Sequence, residues 1–443
     1  MANKAGIGTL VTEEHELVTD SLDLFSIPSI ETAQIAGSPH IYLPVGGTIT
    51  NEGPYEIIVP NDGNDYLKVD STYLYGEFQV VKADGTGFVA ADKVSIVNNS
   101  PQSLFKQIDV YLNGTCVNDQ ATSTYHFKAF IENHFSYPTE IKATSLAARE
   151  LYSADEPDKE IDWTDAAKHG FAQRRKVIRE ASTLCFMIKI HNDFLMQTKY
   201  LLPGVELKLR LVRNDDSHTI IADAAAAASK IVMKKLELHT RKITIEPSIS
   251  SKIENALSSK SAMYVIAHSK IRAHLLAAAT KNITVPQVVR GRLPRTFILF
   301  FVPNEAYSGN KTKNMYVFKN HTLEYFQVNV DGRPLIPNGW KIDWDGNKCI
   351  KQYVHMLDNI GLGTNFTNGI NIEDFKTNSC IFPFDMTPDL CNSYNRHGFE
   401  SGHIDVDLGF KTALTEGIQL CVFAVYDEII TIDKNREVAL IPS

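Results

Sequence analysis

Short segments in which apolar and polar residues alternate, or in which nearly every residue is apolar, dominate this chain and predict β-strands. The segment YLKVDSTYLYGEFQVV at 66–81 mixes β-branched and aromatic residues and ends at the turn KADG. Segments of the same kind, separated by turn residues, recur at 106–114, 183–191, 205–215, 230–246, 295–303, 323–332, 403–410 and 418–433. The pattern therefore predicts a protein built mainly from antiparallel strands.

Helical periodicity is confined to a few short segments. YHFKAFIENHF at 125–135 and IKQYVHMLDNI at 350–360 place their apolar residues three and four positions apart, which is typical of an amphipathic helix. We also predict short helices within 164–180 and within 249–263, the latter capped by serine near its start.

Three features recur in the same order in the two halves of the chain. The strand-and-turn sequence IDVYLNG at 108–114 returns as FQVNVDG at 326–332, and an amphipathic helix follows each. The strand GVELKLRLVRND at 204–215 resembles GIQLCVFAVYDE at 417–428. The first pair lies 218 positions apart and the second 213, so we predict a duplicated domain.

The predicted fold class is all-β, with two tandem eight-stranded antiparallel jelly rolls (a double jelly roll) and a few short helices. We predict an N-terminal arm at 1–45, a first jelly roll at 46–221 and an alanine-rich connector at 222–229. A second jelly roll at 230–435 and a C-terminal tail at 436–443 complete the chain. Alanine is a good helix former, so the connector is predicted to be a short helical link.

Composition and charge limit the classes of function. The 443 residues carry a net charge of −8 and no Lys/Arg-rich tail, so direct sequence-specific nucleic acid binding is not expected. The chain has no run of about 18 apolar residues and no signal-peptide pattern, so we expect neither a membrane span nor secretion. Six scattered cysteines without C-x-x-C spacing predict free thiols in a reducing compartment.

No motif for catalysis is found, and we predict no enzyme, no catalytic residue, no cofactor and no metal. The chain has neither a glycine-rich phosphate loop nor a G-x-S-x-G motif. Asp343, Asp345 and Asn347 have the spacing of a calcium loop, but Lys348 and Val354 stand where an EF-hand needs Gly and Glu. We therefore interpret 343–347 as a turn.

The other chemically suggestive residues are interpreted as packed or solvated side chains, because none has a partner at a useful spacing in the sequence. Asp405 and Asp407 share one strand face, and Arg174, Arg175 and Lys176 form a small charge cluster. The histidine candidates are His191 with Asp193 at a strand end, and His268 with His274.

Seven segments, spread from about residue 20 to 437, resemble the major capsid proteins of Polinton/Maverick elements and related adintovirus-like viruses. They are SLDLFSIPSIET, DSTYLYGEFQVVKADG, SPQSLFKQIDVYLNG, GRLPRTFILFFVPNEAYSGN, LEYFQVNVDGRPLIP, FPFDMTPDL and VYDEIITIDKNREV. No single segment is diagnostic, and their number and order carry the resemblance. The alanine-rich connector ADAAAAAS is a departure from it.

The resemblance implies a double jelly-roll capsid protein that forms homotrimers with a pseudo-hexagonal outline. Such capsomers tile an icosahedral shell, with a separate single jelly-roll penton protein at the vertices and minor capsid proteins as further partners. Proteins of that family have no catalytic residues, so the resemblance implies none in this chain. We expect the arm at 1–45 to lie along a neighbouring surface or the inner face of the shell, and 332–380 to face outward.

Two other classes of function stay open. A jelly-roll protein that binds or processes carbohydrate needs a cleft with clustered aromatic side chains and carboxylates, and Trp163, Trp340 and Trp344 are the candidates for it. A minor or vertex capsid component is the other alternative. Vertex proteins need five-fold symmetry and usually have one jelly roll, so the duplication argues against that reading.

Overall fold

The computed structural model describes residues 32–442, except 48, 62, 119–122, 152–162, 164–169, 227, 347, 360–367 and 389–399. Within these residues, strands account for most of the regular structure. In chain order they are β1 (Gln34–Tyr42), β2 (Tyr55–Val59), β3 (Tyr66–Val81), β4 (Val94–Ile96), β5 (Phe105–Leu112), β6 (Thr115–Cys116), β7 (Leu184–Lys189), β8 (Leu207–Arg213), β9 (Ile220–Ala222), β10 (Lys230–Ile245), β11 (Ala262–Leu276), β12 (Asn282–Arg292), β13 (Thr296–Pro303), β14 (Leu323–Val330), β15 (Arg333–Pro334), β16 (Trp340–Lys341), β17 (Ile381–Asp385), β18 (Ser401–Phe410), β19 (Ile418–Ile432) and β20 (Val438–Pro442).

The helices are short, and most connect strands. They are α1 (Ser100–Ser103), α2 (Tyr125–Ser136), α3 (Thr139–Ile141), α4 (Ala147–Glu150), α5 (Gly170–Val177), α6 (Pro247–Leu257), α7 (Asn304–Tyr307), α8 (Ile350–Asn359) and α9 (Ile372–Thr377). A π-helical turn, Lys142–Leu146, joins α3 to α4, and 3-10 turns lie at Asp216–His218 and Ala224–Ala226.

Four antiparallel sheets form two sandwiches. Sheet 1 has the strand order β1-β10-β3-β7 and sheet 2 the order β2-β8-β5-β6. Sheet 3 has the order β11-β19-β13-β17, with β20 also paired to β19. Sheet 4 has the order β12-β18-β14-β15, with β16 also paired to β14.

The second sandwich repeats the first strand for strand. Sheet 3 has β11, β19, β13 and β17 where sheet 1 has β1, β10, β3 and β7, and sheet 4 has β12, β18, β14 and β15 where sheet 2 has β2, β8, β5 and β6. The eight equivalent strands also follow the same order along the chain. The predicted pair of eight-stranded antiparallel jelly rolls is therefore confirmed.

The alternating pattern of the sequence explains how each sandwich is filled. In β8, Leu207, Leu209 and Leu211 are fully buried, while the residues between them are partly exposed, as expected when one face of a strand meets the core. In β3, a side chain at Gly76 would collide with the ring of Phe186 on the neighbouring strand, so the absence of a Cβ lets that ring lie across the sheet.

The two repeated turns have the same backbone geometry. Asn113 and Gly114 have φ values of 47° and 81°, and Asp331 and Gly332 have values of 49° and 75°. Two successive residues with positive φ are the signature of a type I′ hairpin, which connects β5 to β6 and β14 to β15. The strand-and-turn repeat seen in the sequence is therefore a repeat of structure.

The boundary between the rolls differs from the predicted one. Strand β10, which follows the alanine-rich segment, hydrogen-bonds to β1 and β3 within the first roll. The segment 222–229 thus lies inside the first roll, where Ala224–Ala226 makes one 3-10 turn. Because the chain leaves the first roll only after β10, we propose α6 (Pro247–Leu257) as the link between the rolls.

Three other predictions differ from the structure: the match between two strands, the extent of the N-terminal arm and the cap of helix α6. The topological equivalent of β8 is β18, and that of β19 is β10, so the matched strands at 204–215 and 417–428 are not counterparts. The predicted arm at 1–45 contains β1, while residues 1–31 lie outside the described part of the chain. Helix α6 is capped by Glu246 rather than by serine, since the Glu246 carboxylate accepts hydrogen bonds from the backbone N–H groups of Ser248 and Ile249.

Candidate functional site

The two rolls meet around helix α2, which belongs to the first roll but packs into the core of the second. Phe130 stacks on Tyr316 with ring centroids 4.0 Å apart and planes 7° apart. Phe127 stacks on Tyr307 with centroids 5.5 Å apart. The helical periodicity seen at 125–135 is therefore real, and its apolar face makes the contact between the rolls.

The polar face of the same helix contributes to a cluster of five titratable side chains at this contact. We call Lys128, Glu132, His191, Asp193 and His268 the junction cluster. Lys128 Nζ lies 2.5 Å from Asp193 Oδ1, and His191 Nδ1 lies 2.6 Å from Glu132 Oε2. His268 Nδ1, from β11 of the second roll, lies 3.3 Å from Asp193 Oδ2. The side chains of Asp193 and His268 are only 8% and 4% exposed, so the pair is shielded from water.

Asp193 also binds the backbone of the second roll. The backbone N–H of Ser269 donates to Asp193 Oδ2 over 3.1 Å, and the Ser269 hydroxyl lies 3.3 Å from Oδ1. Burial raises the pKa of Asp193, but the positive charge of Lys128, the nearby His268 ring and the hydrogen bond from Lys128 outweigh it and lower the pKa to about 2. The carboxylate is therefore ionised at neutral pH and is held by partners from both rolls.

A second buried group ties the rolls together through backbone carbonyls. The ammonium of Lys142, in the π-helical turn, donates hydrogen bonds to the carbonyl oxygens of His134 and Asn368. His134 lies in the last turn of helix α2, whereas Asn368 belongs to the second roll. Because Lys142 is 2% exposed, these contacts form part of the interior of the molecule.

The junction cluster has the chemistry of a structural contact. Each of its acidic groups faces a basic group, and Asp193 also accepts hydrogen bonds from Ser269 of the second roll. In the described ranges, no group of three or more His, Cys, Asp or Glu side chains is placed to hold a metal ion. The junction cluster holds strand β11 of the second roll against helix α2 and the segment after β7.

The sequence identifies His191, Asp193 and His268 as candidate residues but does not predict that the three are in contact. His191 and Asp193 form a pair at a strand end, and His268 is interpreted as packed or exposed. The fold places all three at one contact, although 75 positions separate Asp193 from His268. Lys128 and Glu132 are missed as functional candidates, although their i, i+4 spacing on a predicted helix is a signal for a paired face.

The carboxylate candidates on surfaces are solvated and paired. Asp343 accepts a hydrogen bond from the backbone of Gly346, and Asp345 forms an ion pair with Lys411 at 2.7 Å, as expected for a turn. Asn347 is outside the described residues. Asp405 and Asp407 lie on the outer face of sheet 4, where Asp407 accepts hydrogen bonds from Thr284 and Asn329.

The charge cluster at 174–176 is only in part the solvated face that its sequence suggests: Lys176 is exposed, whereas the two arginines bind backbone carbonyls. Arg174 is 5% exposed, and its Nε donates to the carbonyl oxygen of Ile96. Arg175 donates to the carbonyl oxygens of Ala90 and Asp92. These guanidinium groups satisfy backbone acceptors of the 90–96 segment, which explains why α5 packs against β4.

The three tryptophans are partly buried and pack against the core rather than lining a sugar-binding cleft. Trp340 packs against both Phe326 and Phe384, with centroid distances of 5.7 and 5.8 Å. Trp344 Nε1 donates to the carbonyl oxygen of Leu323, and Trp163 packs edge-on against Phe171. These rings already have packing partners, so the arrangement does not favour a carbohydrate site built on them.

The cysteines that the structure describes are free thiols. Cys349, Cys380 and Cys421 are buried, and burial raises the pKa of each thiol. Cys116 is partly exposed and Cys185 exposed, while Cys391 lies outside the described residues. Across the described ranges, no helix is both long enough and apolar enough to span a bilayer.

Several solved structures of viral proteins are similar to this chain over nearly its whole length. Over 98% of its length the chain is similar to a chain of the Sputnik virophage structure, covering 94% of that chain, with a TM-score of 0.64 at 10% identity. It is similar to a chain of the PBCV-1 virus capsid (95% of this chain and 99% of that one, TM-score 0.58, 11% identity). It is also similar to the mavirus major capsid protein (97% and 96%, TM-score 0.55, 10% identity).

One curated sequence relative also spans most of the chain. An uncharacterized protein of Caenorhabditis elegans is 24% identical over 398 residues, which is 87% of this chain and 92% of that protein. No protein-family model matches the chain. At 10–11% identity the structural likenesses establish the fold, so the chain is a double jelly-roll protein.

Proposed function

We propose that this chain is a major capsid protein that forms homotrimeric, pseudo-hexagonal capsomers, which tile an icosahedral viral shell. The observation that carries the proposal is the strand-for-strand duplication within one chain. Two similar rolls held at a fixed junction let three chains present six similar blocks around a three-fold axis, which approximates a hexagonal tile. The junction cluster and helix α2 supply that fixed contact.

The structural neighbours support this proposal. The similarity covers almost the whole of both chains, and it includes the mavirus major capsid protein and a chain of the PBCV-1 virus capsid. The seven segments that resemble Polinton/Maverick and adintovirus-like capsid proteins point to an element of that kind as the source.

The proposal assigns the chain's partners. Its main partner is itself, within the trimer and between neighbouring capsomers in the virion. An obligate interface of this kind buries on the order of 2,000–5,000 Å². A single jelly-roll penton protein fills the vertices, and minor capsid proteins are further candidate partners. The net charge of −8 fits a shell wall that leaves genome binding to other proteins.

The molar mass in solution tests the proposal. We expect light scattering on the purified protein to give three times the chain mass of 49.5 kDa, or a larger shell that dissociates to that species. Negative-stain images of the trimer should show a six-lobed outline. A stable monomer would contradict the proposal, and a pentamer would favour a vertex component instead.

A further inference from the structure

The edge strand of the first roll is exposed on both faces. Strand β1 pairs with β10 on one side, and no described strand pairs with its other side. Ile35 and Ile41 on β1, and Leu43 and Val45 just after it, are 57–61% exposed. Four large aliphatic side chains within eleven residues form an apolar surface that a monomer would leave in water.

The equivalent edge of the second roll is covered in part from within the chain, although Met263, Val265 and Leu275 on it remain 43–61% exposed. Strand β11 occupies in sheet 3 the place that β1 occupies in sheet 1. The segment after β7 of the first roll lies against it: the Tyr264 hydroxyl donates to the carbonyl oxygen of Tyr200, and Phe194 contacts the Tyr264 ring at a centroid distance of 5.7 Å. Asp193 of the same segment binds the backbone N–H of Ser269.

We propose that β1, together with Leu43 and Val45, is covered by the second roll of another copy of this chain. The inference rests on the proposed trimer and specifies its interface. In a ring that alternates first and second rolls, each edge strand meets the preceding roll. Within one chain the first roll covers part of β11, and the repeated topology places the second roll of the neighbouring copy against β1.

The register of the strands shows how the two contacts differ. His268 pairs with Tyr426, six positions before the end of β19, and Ile41 pairs with His239, six positions before the end of β10. Ile41 therefore lies in the same part of its edge strand as the junction histidine does in the second roll. The proposed contact between copies is aliphatic in a region where the contact within the chain is charged, which suits an interface that must form from separate molecules.

Glutamate substitutions on the strand test the inference. We expect Ile41→Glu, alone or with Ile35→Glu, to convert the trimer to a folded monomer of 49.5 kDa in light scattering. Ile41→Leu should preserve the trimer. Val89→Glu is the matched control, because Val89 is 58% exposed in a loop away from β1 and its replacement should leave the trimer intact.

Hydrogen exchange on the wild-type assembly provides a second measurement. It tests whether β1 is covered even if the glutamate variants do not fold. Alternate backbone amides of 35–43 point away from β10, and these should exchange slowly in the trimer and at least tenfold faster in the Ile41→Glu monomer. A trimer that persists in the double glutamate variant, or fast exchange of these amides in the wild-type trimer, would overturn the inference while leaving the proposed function standing. Slow exchange in the monomer would show that the chain covers β1 itself and would equally overturn it. A wild-type protein that is monomeric would instead refute the proposed function.

Discussion

Replacing Asp193 with asparagine removes the carboxylate that links the two rolls. In the wild-type protein its oxygens lie 2.5 Å from Lys128 Nζ and 3.3 Å from His268 Nδ1, and it accepts a hydrogen bond from the backbone N–H of Ser269. Asparagine keeps the size of the side chain and one oxygen acceptor but loses the negative charge. The Lys128 ammonium, which is 12% exposed, is then left with Glu132 at 3.9 Å as its nearest anion.

The expected loss of stability follows from the pKa of Asp193. Its fall from 3.8 to about 2 in the folded state corresponds to roughly 2–3 kcal/mol of stabilisation at pH 7, since each pKa unit is worth about 1.4 kcal/mol. Leaving one partner of a buried ion pair uncompensated costs about 3–5 kcal/mol in other proteins, which sets an upper bound. We therefore expect Asp193→Asn to reduce the free energy of unfolding by about 2–3 kcal/mol.

The same pKa difference fixes the pH dependence. Because the folded-state pKa of Asp193 lies below the unfolded value of 3.8, its contribution is complete above that value and is lost as the pH falls through about 2. At pH 3, midway through this range, about half of the contribution remains. The difference in unfolding free energy between wild type and Asp193→Asn should therefore shrink by about half from pH 7 to pH 3.

Urea unfolding at a fixed chain concentration measures both effects, because an oligomer's apparent stability depends on concentration. Asp345→Asn is the matched control: its carboxylate is 82% exposed and pairs with Lys411 on the surface, so its removal should cost less than about 1 kcal/mol. A change below about 0.5 kcal/mol for Asp193→Asn at pH 7, or a difference from wild type that does not shrink at pH 3, would refute the assigned role.

Three further predictions concern the contact between the rolls, a hairpin turn and a buried carboxyl group. Phe130→Ala removes the ring that stacks on Tyr316 and should lower the free energy of unfolding, measured in urea, by about 3–5 kcal/mol. Tyr316→Phe keeps the stacked rings and should lower it by less than about 1.5 kcal/mol, and equal losses for the two variants would contradict this prediction. Gly114→Val forces a β-branched residue to a φ of 81° and should lower the thermal midpoint, while Gly114→Asn should lower it much less. Burial raises the pKa of Glu150, so its ionisation costs stability as the pH rises above the unfolded value; Glu150→Gln should therefore be more stable than wild type at pH 7, and a loss of stability there would count against this.

The strands that fill the sandwiches could be predicted from the sequence, because burial imposes the pattern that identifies them. Strand β3 (Tyr66–Val81) coincides with the predicted segment, and β19 (Ile418–Ile432) ends one residue earlier than predicted. Strand β1 was not predictable in this way. Its residues are exposed on both faces, so no alternation between apolar and polar positions marks it.

The boundary between the rolls depends on pairing rather than on pattern. Strands β8, β10 and β19 all alternate or bury apolar residues, so the sequence offers three similar segments and no means of deciding which two are counterparts. Hydrogen bonding decides it, because β10 lies between β1 and β3 as β19 lies between β11 and β13. The junction cluster is unpredictable for a related reason, since its members lie on elements that only the tertiary fold brings together.

The two edge strands illustrate what duplication permits. Within one chain the rolls are already covalently connected, so the contact at β11 need not overcome the entropy of bringing separate molecules together. A buried ionic cluster that chiefly fixes geometry is therefore sufficient to hold the two rolls in place. Separate copies lose translational and rotational freedom on association, so the proposed contact at β1 needs the larger gain that aliphatic burial provides. Substitutions at His268 should therefore change the stability of each chain, whereas substitutions at Ile41 should change its assembly. Thermal unfolding and light scattering on the same pair of variants, His268→Leu and Ile41→Glu, distinguish the two roles, and equal effects of both variants on both measurements would contradict the division.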